Sequence, residues 1–347
     1  MATLIRYNAD DIVYDTKKIT TSTWSDNTNN LTGLFTASNQ SDTTDANSQG
    51  CFYWDVYNMA TESISSSKEF AIAYGHIKGS GSADFTNDTG SFGYSATKYN
   101  YMQYRQLVYG DENQQFTFDT VVPDDIWVIN VERKNYKHNL KPGTMNLHLT
   151  DGTTTIKLTD DSVTKSGSAT LSMVGRQFNI VSGASGVMSG SSINQTLSGS
   201  YGLFYPDAGF MILNPQALKL KLTVGGAAGI TSCMPSESVN IDGKNNHKLF
   251  TCISTSGHFI IDSEEKVSSQ FYFTRIKNNE LNYTTNPSFI DDTGTMRFSS
   301  MTDNPTVYIT TIGLYGESGD LLAVAKLSKP LAKDFTKESL IRCKIDY

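Results

Sequence analysis

At 347 residues the chain is too long for one small domain and long enough to bury two or three compact cores. Charged residues make up only 18% of it, against 18 tyrosines and 17 phenylalanines, so small neutral polar groups carry the solubility and the aromatic content argues against disorder. A net charge of −7 and a pI near 5.3 offer no attraction to a polyanion, and no Lys or Arg run overrides them, which argues against direct nucleic-acid binding.

The N-terminus, Met1-Ala2-Thr3-Leu4-Ile5-Arg6-Tyr7-Asn8, lacks the apolar core of a signal peptide. No apolar run approaches the roughly 20 residues that span a bilayer, so no membrane insertion is expected. Thr36 to Gly50 is almost wholly polar and reads as a surface loop or a poorly ordered stretch. Cys51 to Tyr57 and Glu69 to His76 have strand composition, followed by a glycine-rich loop from Gly75 to Ala83. Tyr101, Tyr104, Arg105 and Val108 recur at helical spacing, and Gly110 stands at the stop position, predicting a helix over Ser95 to Tyr109. Asp124 to Arg133 reads as the strongest strand of this region, and Pro142-Gly143 as a turn before Met145 to Thr150.

Further on, Thr154 to Leu158, Ala169 to Val174, Phe178 to Val181 and Lys219 to Val224 read as short strands between Ser/Gly stretches. The last section carries Gln270 to Lys277 and a hairpin, with Val307 to Leu314 and Leu321 to Leu327 joined by a turn at Gly316 to Asp320. Asp334 to Arg342 reads as a short helix or as an extended tail. The expected fold class is mainly β with few short helices, in two or three β-sandwich or sheet-platform domains. The expected divisions are an N-terminal α+β domain (1–150), a Gly/Ser-rich β domain (151–265) and a C-terminal β-hairpin domain with an assembly tail (266–347).

Local motifs of chemistry are sparse. Cys51, Cys233, Cys252 and Cys343 have no C-x-x-C pair or zinc spacing and read as reduced, mostly buried thiols. Gly225 to Gly229 lacks the ending of a phosphate loop and reads as a turn. The pairs Asp10-Asp11, Asp124-Asp125, Asp160-Asp161 and Asp291-Asp292 are adjacent in sequence, which on a strand points them to opposite faces, so they read as turn and strand-edge charges. His76, His138, His148, His247 and His258 show no metal spacing. His258 with Ser254, Ser256 and Asp262 could be drawn as a triad, but no nucleophile elbow supports it. Asp84 to Gly90 has oxygen ligands for calcium without the EF-hand order. No catalytic, cofactor or metal residue is assigned.

Several stretches resemble virion structural proteins of T-even-like myoviruses that infect cyanobacteria. They are Tyr74-Gly75-His76 with Gly79 to Ser82, Tyr104 to Glu112, Asp124 to Arg133, Tyr201 to Asp207 and Tyr308 to Tyr347. A shorter likeness, Ile312 to Tyr315 with Leu321 to Leu327, is similar to the attachment domain of tail-collar and side-tail fibres. The resemblance implies a place in a particle: a baseplate or fibre-connecting subunit of the tail, made in the host cytoplasm. Its implied partners are other virion proteins and further copies of itself. Ile312, Leu314, Tyr315, Leu321, Val324 and Leu327 are the expected assembly contacts; if one edge of the hairpin is free it could pair with a strand of a neighbouring subunit, and the alternative is an internal hairpin completing its own sheet. The alternatives are a receptor-binding fibre component that meets host glycan through exposed Trp24 and Trp54, a neck or head protein, and a tail-associated glycan hydrolase.

Overall fold

A computed structural model describes residues 5–36, 53–81, 96–165, 168–190, 199–219, 234–235 and 244–347. The protein is mainly β, with three helices among the described residues. It divides into two compact units, one of residues 19–265 and one of residues 1–18 with 266–347.

The larger unit is built on β2 (Trp54–Tyr57), β3 (Lys68–His76), α1 (Ala96–Tyr109), β4 (Asp125–Val131), β5 (Asn139–Leu140), β6 (Asn146–Thr150) and β7 (Thr155–Asp160). It continues through β8 (Thr170–Ser172), β9 (Gly175–Ala184), β10 (Val187–Met188), β11 (Gly202–Tyr205), β12 (Phe210–Leu213), α2 (Pro215–Lys219), α3 (Lys244–Ser256) and β13 (Phe259–Ile260). Eleven of these strands form one sheet, in the order β13-β6-β7-β9-β11-β12-β4-β3-β2 with β8 and β10 attached to β9. The hairpin of β6 and β7, paired from Leu147↔Leu158 to Thr150↔Thr155, carries this sheet through position 150. The domain break expected there therefore falls inside a continuous ladder.

Strand burial explains why these segments read as unbroken apolar runs. In β4, Trp127, Ile129 and Val131 enter one core cluster while Ile126 and Val128 enter another, because alternate side chains leave opposite faces. A sheet covered on both faces gains nothing from polar alternation. Tyr101 and Val108 of α1 cover one face, and Leu249 and Ile253 of α3 join the cluster on the other. Gly75 lets α1 come close: a Cβ there would stand 2.9 Å from the Tyr101 backbone nitrogen. The helix stops at Gly110, whose φ of +67° suits glycine and closes the last turn with a bond from its N–H to the Gln106 carbonyl.

The sheet curls around α3, which packs against both β6 and β3, strands far apart in the sheet order. Its two edges are bridged by one strap: Asn30 pairs with Ile260 of β13, and Phe35 pairs with Tyr57 of β2. The bonds at the second bridge are 2.8 Å in both directions. At the first, the Phe259 carbonyl accepts from Leu31 N and from Trp24 Nε1, each at 3.0 Å. Glu69 ties the strap to β3 by accepting from Ser25 N, Ser25 Oγ and, at 2.7 Å, Asn135 Nδ2.

The second unit contains most of β1 (Ile12–Ser22) and of β14 (Asp262–Ile276), with β15 (Val307–Tyr315), β16 (Leu321–Lys333) and β17 (Ser339–Asp346). β14 lies between β1 and β17 and pairs with β17 from Ser269↔Asp346 to Ile276↔Ser339. The helix considered for Asp334 to Arg342 is therefore replaced by a turn and a paired strand. Its side chains alternate, with Ser339, Ile341 and Cys343 buried and Leu340, Arg342 and Lys344 exposed, a period of two that no helix can use. Lys219 ends α2 and does not open a strand. The rest of the strand expected there, the glycine cluster at 225–229, the calcium-like loop at 84–90 and most of the polar stretch at 36–50 lie outside the described residues.

Candidate assembly interface

The C-terminal hairpin pairs Ile312 with Ala325, Gly313 with Val324, Leu314 with Ala323 and Tyr315 with Leu321. Its turn is held by Gly316 N–H to the Asp320 carbonyl at 2.8 Å and by Gly319 N–H to the Gly316 carbonyl at 3.0 Å. Gly319 takes a φ of +88°, which a side-chain-bearing residue reaches only at a cost.

The hairpin's two faces differ. Ile309, Ile312, Ala325, Leu327 and Leu331 pack against a small core of Ile276, Ile341 and Cys343, and Leu314 is buried. Of the six expected contacts, Ile312, Leu314 and Leu327 thus serve the fold of the unit itself. Tyr315, Leu321 and Val324 are exposed. One further exposed apolar residue, Leu322 at 71%, extends the surface, while Tyr308, 65% exposed, pairs with Ala332 at the other end of the hairpin. Leu322 escaped a reading by alternation because the register shifts between the Leu314 and Tyr315 pairs, which leaves it as an extra residue on β16.

A cleft of about 810 Å³ runs along β15. Its apolar lining comes from Ile276, Leu281, Ile312 and Ile341, and Arg6 and Glu317 supply its charges. These two form a loose exposed pair at 3.8 Å. Tyr7 borders the same cleft and is held by a 2.5 Å bond between its hydroxyl and Thr274 Oγ1.

The larger unit places the remaining candidates in structural roles. Trp24 and Trp54 are each 1% exposed and lie in the core, so the glycan-contact role expected of them is overturned. Asp160 and Asp161 are fully buried and are not strand-edge charges. Asp160 accepts from Gly143 N at 2.8 Å and Ser162 N at 3.3 Å, while Asp161 accepts from Asn179 N at 2.9 Å and Nδ2 at 2.8 Å. Burial raises the Asp160 carboxyl above its usual range despite these donors. Asp124 is paired with Lys78 at 2.9 Å, and Asp291 closes its own turn through Thr293 and Thr295.

The drawn triad does not assemble. Ser254 Oγ donates to the Thr251 carbonyl, and Ser256 Oγ donates to the carbonyls of His148 and Ile253, both satisfying the end of α3. The His258 ring stacks on His148 at 3.9 Å between centroids. Burial, the His258 ring and Lys157 lower the His148 pKa to about 4. Among the described residues no group of three or more His, Cys, Asp or Glu could hold a metal ion. Cys343 is a buried free thiol, and burial raises its pKa. Cys252 is disulfide-bonded, which corrects the expectation of reduced thiols at that position; Cys51 and Cys233 lie outside the described residues. No helix among the described residues is long and apolar enough to cross a membrane.

Compared with protein-family models, with curated proteins and with solved structures, the chain matches none.

Proposed function

We propose that the protein is a structural subunit of a tailed bacteriophage virion, in the baseplate or fibre-connecting region of the tail, and that it works by contact and not by turnover. The observation that carries the assembly part is the two-stranded hairpin, one face packed on its own unit and the other presenting Leu322 and Val324, 71% and 58% exposed. Contiguous exposed apolar side chains on a well-paired element mark a contact surface. The particle itself is supported by the sequence resemblance alone. Neighbouring virion proteins and further copies of the chain are the proposed partners, with repeated contacts set by the symmetry of the particle.

The test is mass spectrometry of purified virions from a phage encoding the chain. The protein should be present at a fixed copy number, and Val324→Lys should deplete it from particles while the soluble protein stays folded. Its absence from wild-type particles overturns the reading.

A further inference from the structure

We propose that the outer edge of β15 is an acceptor for a strand delivered by a neighbouring subunit, and that its occupant is a short, extended, uncharged segment lying in the cleft beside it. This rests on reading the hairpin as the assembly element, though not on which particle it joins.

Four strand edges of this unit are unpaired among the described residues, those of β1, β15, β16 and β17. Proteins protect open edges with charges, proline and bulges, because unpaired N–H and C=O groups recruit other strands. Three of the four carry such protection. Lys17 and Lys18 lie on β1, and Arg342 and Lys344 on β17. β16 carries Lys326, Lys329 and Pro330 and also holds the extra residues at both register shifts of the hairpin. β15, with the sequence Val-Tyr-Ile-Thr-Thr-Ile-Gly-Leu-Tyr, has no charge, no proline and no inserted residue. It is the one edge built without a deterrent, and it opens onto the cleft.

The cleft's size and lining define the occupant. One residue of sheet fills roughly 3.3 Å by 4.8 Å by 10 Å, so about 810 Å³ holds about five residues of strand. The long wall is isoleucine and leucine with Thr274 and Thr311, and the charges are confined to Arg6 and Glu317. A charge on the middle of an incoming segment would lose water and find no counter-ion. An apolar side chain at every second position would meet Ile276 and Ile341, while the backbone pairs with β15.

The full chain can be titrated with a fluorescein-labelled peptide of the β15 sequence, residues 307–315, flanked by lysines for solubility. Saturable anisotropy and amide-exchange protection confined to Ile309 through Tyr315 are expected. Thr311→Lys, at an exposed position lining the cleft, should weaken binding at least tenfold. Tyr308→Lys, exposed but off the cleft, should bind as wild type and controls for repulsion by the added lysine. No saturable binding to the wild type, equal binding by Thr311→Lys, an equal loss in Tyr308→Lys, or protection on β1, β16 or β17 instead would each overturn the proposal. Absence of the chain from particles with peptide binding intact would sink the virion reading alone; presence in particles with no peptide binding would sink the edge alone.

Discussion

The sheet of the larger unit leaves neither end bare. Its two edges, β13 and β2, are taken up by a strap from Asn30 to Phe35, and its interior is filled by α3 and by Trp24, Phe70 and Trp127. The hairpin of β15 and β16 is the opposite case, a two-stranded sheet whose outer edges are both unpaired among the described residues and whose one face is open. An isolated two-stranded ribbon is marginal in water, and this one depends on a small core around Ile276 and Ile341. The comparison separates residues that stabilise from residues that meet partners, and the two sets should respond differently to the same kinds of substitution.

The largest expected effect is in the sheet of the larger unit. Phe70 is fully buried beside Trp24 and Phe259, and Phe70→Ala should cost about 3–5 kcal/mol through lost burial and a residual cavity. Denaturant unfolding followed by tryptophan fluorescence reads this directly. A cost below about 1 kcal/mol would mean that the core is not packed as described.

The next effect tests the strap. Asn30 Oδ1 accepts from Phe259 N at 2.9 Å and its Nδ2 donates to the Gly257 carbonyl at 3.3 Å. Asn30→Ala removes both bonds at the seam and should cost about 1–3 kcal/mol, with faster amide exchange at Phe259 than elsewhere in the sheet. Uniform exchange across the sheet would show that the strap does not seal it.

Acid should act on the same unit. His148 titrates near pH 4 in the folded state and near pH 6.5 when unfolded, so the unfolded chain binds the extra proton first. Its contribution is therefore full above about pH 6.5 and is lost as the pH falls toward 4. The ring is only part-buried, which discounts the size to about 1–2 kcal/mol. The groups known to face it are the stacked His258 and Lys157, both unfavourable to a second positive charge. His148→Phe should flatten the pH dependence of the melting temperature in this window, and an unchanged slope would rule the stack out as its source.

Much of this comparison was legible in the amino-acid pattern, where local signals agreed with tertiary ones. α1 was marked by Tyr101 and Val108 at helical spacing and by Gly110, and β4 by an apolar run long enough to be covered on both faces. The hairpin was marked by its turn residues. α3 was not, because Asn245, Asn246, Thr251 and Ser254 dilute its apolar stripe, and its stability comes from the sheet wrapped around it. β1 was also missed: all but its end residues are exposed, leaving no buried alternation to detect. Trp24 and Trp54 misled for the converse reason, since a tryptophan next to polar residues can serve a core as readily as a surface. The candidate interface was legible as a location but not by face. Ile312 and Val324 look alike in sequence, and only the core under the hairpin makes one internal and the other free.

The smallest expected effect on stability is therefore the most informative about function. Leu322→Lys replaces a side chain that is 71% exposed, so the folded state loses little burial and stability should change by less than about 0.5 kcal/mol. A lysine there still puts a charge in the middle of the open apolar face, where docking would have to strip its water. Ile312→Lys should do the reverse, disrupting the hairpin core by burying an unpaired charge. Thermal melts of both proteins, together with their recovery in particles, separate the two cases. If Leu322→Lys melts like wild type and assembles like wild type, the open face is not a contact, and the assembly reading would have to stand on the β15 edge alone.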